Sequence, residues 1–137
     1  MNPRPTQKSL LSAATLALVL AAPGALAQTR TGESVYKETC VACHATGVAN
    51  APKVGDKAKW APLIKEGQHV LTAHAWVGVR GMPAKGGKAD LSQEDFARAV
   101  AYMARESGGK WQDPDAKMME RIRDEERKRV ADLAKKK

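Results

Sequence analysis

The chain has 137 residues, a formal net charge of +8 and only 4% aromatic residues. That length fits one small domain with appendages, and so few aromatics leave little large apolar surface from which the chain alone could build a core. Basic and acidic residues are interleaved and no nucleic-acid motif is present, which argues against a nucleic-acid partner; the basic balance steers acidic protein surfaces instead.

Residues 1–27 read as a cleaved signal peptide. Arg4 and Lys8 form a positive start, and Leu10 to Ala22 is apolar apart from Ser12 and Thr15. Pro23-Gly24 breaks the segment, and Ala25-Leu26-Ala27 supplies a small-x-small cleavage site. The apolar run is short for a membrane span, which takes about 20 residues, and no later segment could cross a bilayer. The mature protein is therefore expected in the periplasm, without a transmembrane span. Residues 28–112 are expected to form one domain and residues 113–137 a charged helical tail.

Residues 31–40 predict a first helix with Thr31 as its N-cap. Gly32 costs helix propensity and makes sense where another helix crosses close by. The helix leads into Cys40-Val41-Ala42-Cys43-His44. Two thiols at this spacing followed by a histidine read as a covalent haem attachment site. Each thiol adds across one vinyl group, and residues three apart on a helical turn share one side. His44 then offers an imidazole nitrogen as the proximal iron ligand. The implied cofactor is one covalently attached haem c per chain. A thioredoxin-like pair would need a βαβ surrounding that is not seen, and a zinc site from Cys40, Cys43, His69 and His74 has a gap about twice the finger spacing.

Residues 45–55 carry the glycine, asparagine and proline of a loop. Asp56 caps a short helix through Trp60, which Pro62 is expected to interrupt. From Gln68 to Val77 the residues Val70, Leu71, His74 and Val77 share a helical face, and Gly78 and Gly81 end that helix. The loop Arg80 to Asp90 holds Met82-Pro83. A thioether in a loop, with a rigid proline beside it and glycines around it, is the candidate second iron ligand; His69 and His74 are its rivals. Ser92 caps a last domain helix in which Phe96, Ala99, Val100 and Met103 form the apolar face, Gly108-Gly109 stopping it near Ser107. Asp113-Pro114 starts the tail helix. Its stripe of Met118, Met119, Ile122, Val130 and Leu133 is broken by Glu126, so the tail is expected to be a solvated helix with pairs Arg121–Glu125, Asp124–Lys128 and Glu125–Arg129; docking to a partner or a second copy is the other reading. No segment alternates as a strand does, so the fold class is all-α: a bundle of short helices around one haem.

The attachment pentapeptide, the downstream Met82-Pro83 and the terminal amphipathic helix resemble class I cytochromes c. The strings Cys40–Ala49, Ala51–Lys57, Trp60-Ala61-Pro62 and Met82–Gly87 resemble the cytochrome c5 subgroup in particular, over about residues 31–107. The resemblance implies that Gly32 and Tyr36 meet Tyr102 in a crossed helix pair and that the Pro52 carbonyl accepts a hydrogen bond from His44. It also implies a hydrogen bond from Trp60 to a haem propionate, although Trp60 reads equally well as plain core. Members of the subgroup often carry two further cysteines after the Gly-Gly segment, where this chain has Lys88-Ala89-Asp90-Leu91. The expected function is single-electron transport between redox partners, not catalysis. The alternatives are a haem subunit docked in an oxidase or dehydrogenase complex, or an open-site haem protein with peroxidase or gas-binding activity.

Overall fold

The computed structural model describes residue 1 and residues 29–136; apart from Met1, the expected signal peptide lies outside the described residues. Every named element among them is helical: α1 (Gly32–Val35), a π-helical turn (Tyr36–Cys40), α2 (Val41–His44), a 3-10 turn (Val48–Asn50), α3 (Lys57–Glu66), α4 (Gln68–Val77), a second 3-10 turn (Ala84–Gly87), α5 (Gln93–Glu106) and α6 (Ala116–Ala134). The expected first helix therefore runs on through the attachment motif to His44. It changes hydrogen-bond register in the middle, where the Val41 amide reaches back to the Tyr36 carbonyl. Such widened turns recur at functional sites.

The caps follow the sequence. Thr31 accepts from the Ser34 amide, Asp56 from the Lys59 amide and Ser92 from the Asp95 amide. The helix pair α1 and α5 crosses at Gly32. A Cβ there would lie 2.2 Å from the Arg98 carbonyl oxygen, so only glycine permits this approach. One turn on, the rings of Tyr36 and Tyr102 meet with centroids 5.5 Å apart. Gly32→Ala is expected to force the two backbones apart and cost about 1–3 kcal/mol, the usual price of overpacking, read as a lower denaturation midpoint of the haem-loaded protein.

Three expectations need correction. Pro62 does not interrupt α3, which continues to Glu66; buried Trp60 and the packed Leu63 and Ile64 hold the helix on both sides of it, outweighing one lost hydrogen bond. The tail helix is capped by Asp115, because Asp113 turns instead to Arg105 at 2.9 Å. Nor is α6 a solvated rod. Met119 and the fully buried Ile122 pack with Ala73 of α4 and Ala97 of α5. Its charged residues also depart from the expected i,i+4 pairs: Arg121 donates to His69 Nδ1 at 3.1 Å and Glu125 lies 3.3 Å from His74 Nε2, while Arg127 pairs with Asp124 and Lys128 with Glu125. The tail closes on the body of its own chain.

Candidate haem site

The helices leave a cavity of about 170 Å³ in the middle of the fold, open to solvent at its mouth. Cys40, Cys43, His44, Pro52, Trp60 and Met82 all line it. Each arrives on a different local device. The π-helical turn and α2 bring in Cys40, Cys43 and His44. The loop after α2 brings Pro52 to the histidine ring, α3 supplies Trp60, and Met82 follows α4 by a tight turn.

His44 is buried, and its Nδ1 lies 2.9 Å from the Pro52 carbonyl oxygen. A proline carbonyl only accepts, so Nδ1 carries the proton and donates. That fixes the tautomer and leaves Nε2 as the free lone pair, the arrangement that orients and strengthens an imidazole ligand. The ring of Trp60 stands 6.3 Å from that of His44, centroid to centroid.

Cys40 is 6% exposed, and burial, with Cys43 beside it, pushes its thiol up to about 11. At neutral pH it is a protonated thiol, which is neither a nucleophile nor a redox-active thiolate. Both cysteines line the cavity beside His44.

Met82 is half-buried and packs against the main core. Val79 and Met82 exchange backbone hydrogen bonds of 3.1 and 2.9 Å, which fixes the methionine to the end of α4. Neither rival histidine lines the cavity, since His69 and His74 both face α6. Met103, spaced as core on α5, is buried and also forms part of the wall.

Trp60 differs from what the resemblance implies. Its indole N–H donates to the Lys53 carbonyl at 2.9 Å, so its one donor is committed to backbone and is not left for a propionate. Trp60 is a wall residue that also pins the loop carrying Pro52. The pattern reading missed Thr39 and Arg80. Thr39 lines the cavity with a buried hydroxyl that has no partner, and Arg80 is the one Lys, Arg, Asp or Glu among the lining residues. Nothing in their local spacing marks them, because each is brought to the wall by the fold.

These residues fit a haem. A close-packed small domain does not keep a large apolar void for nothing. Here the void is walled by Leu63, Leu71, Ala75, Val100 and Met103, with two thiols, one oriented imidazole and the Met82 thioether also lining it.

Known proteins resemble this chain in sequence and fold. The family described as cytochrome C oxidase, cbb3-type, subunit III matches residues 27–103. A cytochrome c-555 of Chlorobaculum tepidum is 46% identical over 80 residues, covering 56% of this chain and 74% of the relative. A cytochrome c5 of Azotobacter vinelandii is 42% identical over 77 residues, 55% of this chain and 93% of the relative. A solved structure, described as an electron transfer complex of nitrite reductase with cytochrome c, contains a chain 46% identical with a TM-score of 0.53, covering 56% of this chain and 93% of that one. No helix among the described residues is long and apolar enough to cross a membrane. Motif, helical fold and relatives converge: the chain belongs to the cytochrome c family, in class I near cytochrome c5, and as such carries haem c and passes electrons between redox proteins rather than turning over a substrate.

Proposed function

We propose that one haem is held by thioethers at Cys40 and Cys43, with His44 and Met82 as its axial ligands, and that the chain shuttles single electrons in the periplasm after loss of residues 1–27. The observation that carries this is the convergence of all four residues on one apolar cavity, with His44 already held by Pro52. A bound haem supplies the ferric/ferrous couple. The chain's own residues do the rest. His44 presents Nε2 in a fixed direction, and Met82 offers a soft thioether that raises the reduction potential. Trp60, Leu71, Val100 and Met103 keep water from the wall. Arg80, beside the cavity, and the basic balance of the chain suit partners with acidic surfaces, whose approach is steered at low salt and slowed at high salt. A nitrite reductase, the partner of the similar solved cytochrome c, is of the right class. Residues 28–112 would form the haem domain, and the family match to residue 103 supports that division.

The match to an oxidase subunit family favours one second reading, in which the chain sits as a haem subunit in a larger complex. Fractionation of native cells distinguishes them: a shuttle is recovered alone in the periplasmic extract, a subunit with its complex in the solubilised membranes.

The test of ligation is an absorption spectrum of the haem-loaded protein, oxidised and reduced. The oxidised protein is expected to show the weak far-red band of a sulfur-to-ferric-iron bond. Met82→Ala is expected to abolish that band and lower the reduction potential. A wild-type protein with covalent haem but no such band sinks the Met82 assignment.

A further inference from the structure

Away from the cavity, a connected set of contacts joins α6 to the segment that carries Met82. The 3-10 turn after Met82 folds back over α4, where Lys85 Nζ lies 4.9 Å from the centre of the Trp76 ring. Lys85 holds a left-handed backbone (φ +55) that an L-residue adopts at a cost, so something must keep the turn in place. The approach is close because position 78 is glycine: a Cβ there would be 3.2 Å from the Ala84 amide nitrogen and 3.4 Å from the Met82 carbonyl oxygen.

Trp76 is the hub. Its ring packs edge-on against Phe96 of α5 at 5.3 Å, and its Nε1–H donates to Glu126 Oε1 of α6 at 3.1 Å. The other carboxylate oxygen, Glu126 Oε2, accepts from Gln93 Nε2 of α5 at 2.6 Å. One half-buried carboxylate thus ties α6 to both α4 and α5 through two neutral donors, and charge-assisted bonds of this kind are the strong ones. It also polarises the indole towards its ring face, which strengthens the attraction for the Lys85 cation. Lower on α4, Ile122 and Met119 grip Ala73, so α6 holds α4 at two heights. The same residue that broke the apolar stripe of the tail is therefore its polar lock.

We propose that α6 braces the Met82 loop, with Glu126 and Trp76 as positioning residues for the sixth iron ligand; this rests on the reading of Met82 as that ligand. The α6 half of the brace, Glu126 with Met119 and Ile122, lies beyond the residue 103 at which the family match ends. It acts on the population of the closed loop. An external ligand reaches the iron only when Met82 leaves it, so its apparent affinity is the intrinsic affinity multiplied by the open fraction. Loosening Trp76 raises that fraction.

The experiment is cyanide titration of the full-length, haem-loaded ferric protein, followed by loss of the far-red band, with melting temperature measured alongside. Wild type is expected to show the band and bind cyanide weakly. Glu126→Ala is expected to keep the band before cyanide is added and to bind cyanide about tenfold more tightly. Trp76→Phe, which keeps the ring and removes only the N–H donor, should move in the same direction and serves if Glu126→Ala does not load haem. Glu126→Gln keeps one acceptor and should fall between. Thr31→Ala removes the cap of α1, which is none of the brace contacts, and is expected to lower melting without changing cyanide affinity. The brace is overturned, with Met82 ligation intact, if Glu126→Ala and Trp76→Phe bind cyanide as wild type does, or if Thr31→Ala tightens binding equally. A wild-type protein without the far-red band overturns both.

Discussion

A Cys40→Ser, Cys43→Ser double variant is expected to lose its haem on denaturation and to be largely unfolded as isolated. Both sulfurs sit at the wall of the central cavity, and the chain has no other cysteine to replace them. Without a retained haem, Trp60, Leu63, Leu71, Val100 and Met103 face an open void. An unfilled cavity in a core costs several kcal/mol, a large part of the whole net stability of a small domain, about 5–15 kcal/mol. Haem staining after denaturing electrophoresis reads the first effect and far-ultraviolet circular dichroism the second. A folded double variant with covalently bound haem would refute the thioether assignment.

Ile122→Ala should produce the second largest effect. Ile122 is completely buried, beside Met119, Ala73 and Ala97, so truncation leaves a hole that α6 can close only by shifting on α4. The expected loss is about 2–5 kcal/mol, the range for removing a large aliphatic side chain from a core. Chemical denaturation measures it, and hydrogen exchange locates it: the amides of α6 should exchange much faster than those of α5. A substitution that costs nothing would mean that α6 is the solvated helix its composition suggests.

That contrast shows what the amino-acid pattern carries. Helix α4 runs over the expected Gln68–Val77 because Gly67 and Gly78 punctuate it at both ends. The caps Thr31, Asp56 and Ser92 were legible because a cap is a local hydrogen bond. The spacing of Cys40, Cys43 and His44 is likewise local, and the fold brings Met82, marked by its loop context, to the same cavity. What was hidden depends on partners distant in sequence. Glu126 looks like a flaw in an apolar stripe until Trp76 and Gln93 are seen to donate to it. Trp60 finds a backbone carbonyl, at Lys53, and no side-chain pattern encodes a backbone acceptor. Pro62 breaks a helix in isolation, but here the flanking Trp60, Leu63 and Ile64 are fastened to the core. The π-helical register at Tyr36–Cys40 leaves no trace in hydrophobic spacing.

The burial of Cys40 also imposes an order on the protein's maturation. In the closed fold Cys40 is buried on the cavity wall and Gly32 is seated against the Arg98 carbonyl. A haem vinyl group reaches the sulfur most easily while the chain is still open around residues 40–44, so attachment is favoured ahead of the docking of Gly32 onto Arg98. For this protein a delay in folding is productive, and a sequence change that hastens closure would lower the yield of finished protein even while it raised the stability of the fold.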